Sequence, residues 1–176
     1  HQICLADGQS LNYDKLILAT GAVPRTLPQV VDLENVHVLR SPDDAAALRR
    51  AMQTANTAVV IGGGYIGLEA AASFRKAGLT VHVVEAAERL LARVASPDMS
   101  AFFQELHQRQ GVNIHTGMTE TKFHQKDVLF TGITLDTGEQ ISAELLLVGI
   151  GVVPESVLAD AIGAETGNGI LVDRQM

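Results

Sequence analysis

Residues 58–61 form an apolar run that breaks at Gly62-Gly63-Gly64 and resumes with Ile66, Ala70, Phe74 and Ala77 at helical spacing, stopped by Gly78. A second apolar run follows over residues 79–85 and closes on Glu85. Strand, glycine turn, helix and strand in that order predict a right-handed β-α-β unit with parallel strands. Gly62, Gly64 and Gly67 have the G-x-G-x-x-G spacing, placed where a dinucleotide site requires it. Gly62 permits the tight turn, Gly64 lets a pyrophosphate approach the backbone, and Gly67 lets the helix pack close to the strands. The helix start then presents unpaired N–H groups and a partial positive charge to the phosphates.

Glu85 ends the second strand at the expected distance from the motif. A carboxylate there can accept hydrogen bonds from both hydroxyls of an adenosine ribose and repels a 2′-phosphate, which favours NAD over NADP. Arg89 and Arg93 pull the other way, because arginine accommodates such a phosphate. Glu69 has two readings from spacing alone. It complements the helix dipole, or it accepts a hydrogen bond from a nicotinamide carboxamide.

The flanking sequence supplies further elements. Residues 2–5 and 10–12 flank Asp7-Gly8 as a hairpin, and residues 15–20 read as a short strand before a proline-bearing loop. A short apolar run covers 36–39. Ser41-Pro42-Asp43-Asp44 starts a helix reaching about residue 53. A second helix covers 97–110, with Met99, Phe102, Phe103 and Leu106 on one side, and a strand follows at 112–115. Short alternating runs from 118 to 141 predict an antiparallel meander. A buried strand at 145–148 runs into Gly149-Ile150-Gly151, and a last strand covers 169–173. The fold expected is α/β: a Rossmann-like three-layer sandwich with a parallel sheet and an antiparallel β-meander insert.

Composition narrows the function classes. Hydrophobic residues make up 47% and aromatics 4%, with no Trp, so the core is built from aliphatic side chains, as in buried parallel strands. With 13 Lys and Arg against 20 Asp and Glu the net charge is −7, and no basic run stands out, which argues against nucleic acid. No apolar run reaches the ~20 residues of a membrane span. There is no signal-peptide pattern, and one cysteine, Cys4, cannot form an internal disulfide; the expected location is the cytoplasm. Cys4 itself reads as a small core residue. The six histidines (His1, His37, His82, His107, His115, His124) show no metal-like spacing, and no metal site is expected. No nucleophile–base–acid set stands out, so no catalytic residue is assigned.

Ala19-Thr20-Gly21-Ala22-Val23-Pro24-Arg25, then residues 60–72 (VIGGGYIGLEAAA) and 147–154 (LVGIGVVP), resemble in order the FAD-dependent pyridine nucleotide reductases. The stretch 88–107 (ERLLARVASPDMSAFFQELH) is similar to the NADH-dependent ferredoxin and rubredoxin reductases that serve dioxygenases and cytochromes P450. The resemblance implies three regions. Residues 1–35 are the end of a first FAD-domain segment, 36–152 are an NAD(H)-binding domain, and 153–176 return toward the FAD domain. It implies FAD in a longer protein, whose other FAD and interface parts lie outside this chain. The partner implied is a ferredoxin or rubredoxin that accepts single electrons. Residue by residue, Gly62, Gly63, Gly64, Tyr65 and Ile66 would line the pyrophosphate and nicotinamide side. Glu69 would contact the carboxamide, Glu85 the adenosine ribose and Arg93 the adenosine-side phosphate or ribose. Gly149, Ile150 and Gly151 would pass over the nicotinamide. One departure is Glu155 after Pro154, where the family usually has Asn, which puts a local backbone cap in doubt. Disulfide reductases, NADH-dependent nitrite reductases and apoptosis-inducing-factor-like proteins share the architecture. A C-x₄-C motif upstream would mark a disulfide reductase.

Overall fold

A computed structural model describes residues 1–175. The elements, in order, are β1 Gln2–Cys4, β2 Ser10–Asn12, β3 Ala22–Pro24, β4 Val36–His37, α1 Pro42–Ala51, β5 Thr57–Ile61, α2 Tyr65–Lys76 and β6 Thr80–Glu85. There follow α3 Pro97–Arg109, β7 Val112–Thr116, β8 Glu120–Lys126, β9 Leu129–Leu135, β10 Gln140–Ser142 and β11 Leu145–Val148. The chain closes with β12 Val152–Pro154, α4 Val157–Ala161, β13 Thr166–Gly167 and β14 Gly169–Ile170. They fall into two compact units, residues 24–152 and the paired segments 1–23 and 153–175.

The larger unit is a parallel sheet ordered β4-β11-β5-β6-β7. Its central strands are apolar on both faces because both faces are covered. Ala58, Val60, Val81, Val83, Leu145 and Leu147 pack with Leu48 of α1 and with Ala70, Ala71 and Phe74 of α2. The alternate residues Val59, Ile61, Val84, Leu146 and Val148 pack with Phe130, Ile133, Leu135 and Ile141 of the antiparallel meander β10-β9-β8. Helices, parallel sheet and antiparallel sheet are thus the three layers of a sandwich. Each fully buried aliphatic side chain contributes about 1.5–3 kcal/mol relative to exposure. Asn35 ties the layers with its amide: Nδ2 donates to the carbonyls of Phe130 (2.8 Å) and Glu144 (2.7 Å), while Oδ1 accepts from the Phe130 amide (2.7 Å).

Local chemistry sets the helix starts. Ser41 caps α1 in a capping box with Asp44, and Ser96 caps α3 by accepting from the Met99 amide. Pro follows directly in both. The buried side of α3 differs from its apolar stripe. Met99, Phe102 and Leu106 are exposed, Phe103 packs on the core, and Ser100 and His107 are buried. The cause is Ser100, whose hydroxyl finds partners on the loop after β6 and draws a polar face inward.

In the smaller unit, β1 and β2 pair antiparallel as the hairpin pattern requires. Cys4 is exposed there rather than in a core, since the hairpin buries neither side; its sulfur lies 3.7 Å from the Ser10 hydroxyl. Residues 15–20 form no strand, because no neighbouring backbone pairs with them among the described residues, and Ile17 is 89% exposed. The last strand is shorter than its apolar run: β14, Gly169–Ile170, pairs with β13. Helix α4 lacked a sequence signal because its five residues bury only Ala159. Glu155 supplies its own cap: the carboxylate accepts from the Val157 amide (3.1 Å), and the backbone amide donates to Gly21 O (2.9 Å).

Candidate site at the carboxyl ends of the strands

The strand order reverses between β11 and β5: from β5 the chain moves outward through β6 and β7, while β11 and β4 lie on its other side. Such a switch point leaves a crevice at the carboxyl ends of the strands, where open α/β sheets bind ligands. Three of the marked positions end strands there: Gly62 after β5, Glu85 on β6 and Gly149 after β11.

The two glycine turns cross in contact. Gly62 has φ +108° and donates its amide to Val84 O (2.8 Å). A Cβ on it would fall 2.4 Å from Gly149 O, and one on Gly67 would fall 2.0 Å from Gly62 O. The Gly149 amide donates to Ile61 O (2.7 Å). Gly62 and Gly67 are therefore required by the protein's own packing. Ile150 is half-buried against the meander-side core, and Gly151, exposed with φ +105°, accepts from the Arg25 amide (2.9 Å).

Gly64 is different. It caps α2 with ordinary extended backbone (φ −84°), and a Cβ there would meet no protein atom within 4 Å. Neither conformation nor packing asks for glycine at this point. The helix behind it has no side-chain cap and no acidic residue in its first turn, unlike α1 and α3, which use serines. The room for a Cβ at Gly64 is thus open, at the start of a helix with no side-chain cap, and uncapped helix starts with room beside them suit a phosphate. Tyr65 and Ile66 open the helix with exposed side chains, and Glu69 follows one turn above Tyr65 on the exposed stripe.

Glu85 is held firmly. One carboxylate oxygen accepts from the Gly63 amide (2.7 Å) and the other from the Ala87 amide (2.8 Å). Each oxygen keeps lone-pair capacity for a further donor. Gly63, the glycine outside the motif's spacing, is constrained by the same corner: a Cβ would lie 2.5 Å from Leu90 Cδ2 and 3.1 Å from Glu85 Cβ. The two arginines part company. Arg89 turns inward and donates to Ala92 O (2.9 Å), Ala95 O (2.9 Å) and Ser100 Oγ (2.6 Å), whereas Arg93 is exposed. Sequence reasoning had no signal for Ser100 or for the contact of Leu90 with Gly63.

The histidines are dispersed, and among the described residues no group of three or more metal-ligating side chains is found. His82 and His115 meet on neighbouring strands, Nδ1 to Nε2 at 3.1 Å, with ring centroids 5.4 Å apart and planes 17° from parallel. A centroid separation exceeding the nitrogen separation by two ring radii means the rings meet head-on, as an N–H···N hydrogen bond. In such a bond one nitrogen carries the proton and the other's lone pair accepts it, so neither of the two is open to a metal. Glu139 Oε2 lies 3.9 Å from His115 Nδ1. Burial, with the neighbouring His115, lowers the His82 pKa below its usual value.

Fold and site together define a doubly wound, Rossmann-like α/β architecture with crossed glycine turns at its switch point. The whole chain, residues 1–176, matches the pyridine nucleotide-disulphide oxidoreductase family, and the chain belongs to that family. It is 41% identical to putidaredoxin reductase of Pseudomonas putida, covering 99% of this chain and 43% of that protein. It is 39% identical to a rubredoxin-NAD(+) reductase of the same species, covering 99% and 46%. Among solved structures it is similar to the ferredoxin reductase of the CYP199A2 system from Rhodopseudomonas palustris: TM-score 0.93, 40% identity, 99% of this chain and 43% of that one. The chain spans a little under half the length of these relatives.

Proposed function

We propose that this chain is the NAD(H)-binding part of a cytoplasmic FAD-dependent NADH:ferredoxin, or NADH:rubredoxin, oxidoreductase. Residues 36–152 are the NAD(H) domain in this reading, joined by 24–35, which pack into the same unit, and 1–23 with 153–176 would contribute to an FAD domain completed by a longer protein. Gly64 carries the reading: a glycine that the fold does not need, in front of a helix without its own cap, leaves room for a pyrophosphate. The names of the relatives supply the rest, since they reduce putidaredoxin or couple rubredoxin to NAD(+). Among the described residues no helix is long and apolar enough to cross a membrane.

The chain's own residues bind and orient. The α2 amides and Gly62 to Gly67 would hold the pyrophosphate. Glu85 would accept from the adenosine ribose, with Arg93 on the same adenosine side. Glu69, Tyr65 and Ile66 would border the nicotinamide, and Gly149 to Gly151 would line its other side. Bound NADH would supply a hydride to a flavin held by the longer protein, for delivery as single electrons to a ferredoxin or rubredoxin. No side chain of this chain is assigned a proton transfer.

The test is NADH-driven turnover of the FAD-loaded longer protein with a ferredoxin and with a rubredoxin. Reduction of either is expected. Turnover of a disulfide or nitrite with neither iron–sulfur protein reduced would contradict the reading, as would NADH oxidation that no acceptor accelerates.

A further inference from the structure

The loop between Glu85 and α3 wraps a cation, Arg89, that has no carboxylate partner among the described residues. Arg89 is half-buried, and its three hydrogen bonds go to two carbonyls and one hydroxyl, those of Ala92, Ala95 and Ser100. Ser100 is 2% exposed; its hydroxyl accepts from Arg89 and donates to Leu90 O at 2.6 Å. Leu90 is fully buried, and Leu91 takes a left-handed backbone (φ 54°), which a branched side chain adopts only under constraint. The constraint is visible on both sides. The Val94 and Ala95 amides donate to Leu91 O, each at 3.0 Å, and the Leu91 amide donates to Gly63 O at 2.9 Å. Gly63 is then gripped twice, its oxygen by Leu91 and its amide by Glu85 at 2.7 Å.

These contacts run without a gap from α3 to the carboxylate at the end of β6. We propose that Arg89 and Ser100 are positioning residues that set a preference for NADH over NADPH, by fixing the Leu90-Leu91 corner against Gly63 and so holding Glu85. This rests on the reading of the site given above. The same bonds take three of the five guanidinium N–H donors, both on Nη1 and one on Nη2, and turn Arg89 inward, so the sequence's apparent NADP-type arginine serves the opposite preference. Its Nη1 has no N–H left for a phosphate, whereas Arg93 is exposed.

Calorimetric titration of the chain with NADH and with NADPH, in a double-mutant cycle, tests the proposal. Arg89→Met and, more gently, Ser100→Ala are expected to lower the NADH/NADPH affinity ratio about tenfold. In a Glu85→Ala background Arg89→Met should leave that ratio unchanged, because its effect passes through the carboxylate. An equal change of ratio in both backgrounds would place Arg89 on the nucleotide itself and overturn the proposal. Equal weakening of both nucleotides would overturn it too, leaving a purely structural role. Hydrogen exchange of the Gly63 amide gives a readout without nucleotide: Arg89→Met and Ser100→Ala should both speed it, and unchanged exchange would break the chain of contacts. If the unsubstituted chain bound neither nucleotide, the site reading would fail while this exchange measurement still decided whether Arg89 and Ser100 hold Gly63.

Discussion

Gly64 and Gly67 sit three residues apart in one turn, and the protein's own packing needs only the second. Gly67→Ala puts a methyl 2.0 Å from Gly62 O and should cost about 3 kcal/mol, read as a lower denaturant midpoint at unchanged slope. Gly64→Ala meets open space and should cost under about 1 kcal/mol, the cost of a poorer cap. Its effect should fall on NADH affinity, about tenfold or more by titration, since the methyl would stand in the space proposed for the pyrophosphate. A Gly64→Ala chain that binds NADH normally would remove the main support for that site. Glu85→Gln loses the charge that draws two amides and should weaken NADH by at least about tenfold, with NADPH unchanged or tighter. The histidines act on stability. His82, His37 and His107 all have pKa values lowered chiefly by burial, so the fold favours their neutral forms. Their contribution is complete above the ordinary value of 6.5 and is lost as the pH falls below it toward the lower folded values, where the unfolded chain binds more protons. Urea titrations from pH 7.5 to 5 should show falling stability, and His82→Gln should flatten the slope. A pH-independent stability would contradict the assignment.

Elements differ in how far their residues announced them. The β5-α2-β6 unit was legible because its signals are local: an apolar run, glycines at fixed offsets and an acidic strand end. The α1 start was legible for the same reason, and Ser41→Ala should remove its capping box at a cost of about 1 kcal/mol by denaturation. Helix α3 was legible in extent but not in orientation. Its Met99, Phe102 and Leu106 stripe faces solvent, because Ser100 and His107 are the residues it buries. A hydrogen bond from Ser100 to Leu90 O joins positions ten residues apart through a loop shape, and no periodicity reports that. Residues 15–20 failed as a strand for the converse reason: an apolar run becomes a strand only beside another backbone.

At the scale of the molecule, every residue assigned to the nucleotide lies in the unit 24–152. Crossing of the two glycine turns, Gly62 against Gly149, joins positions 87 residues apart and depends on β11 inserting beside β5. The sequence marked both turns, but only the strand order shows that they meet. The most direct measurement is calorimetric titration of the chain with NADH and, separately, NADPH. NADH should bind at least about tenfold tighter than NADPH, the discrimination expected when a fixed carboxylate meets either ribose hydroxyls or a 2′-phosphate. Equal affinities, or tighter NADPH, would contradict the role given to Glu85, and no binding of either would contradict the site itself.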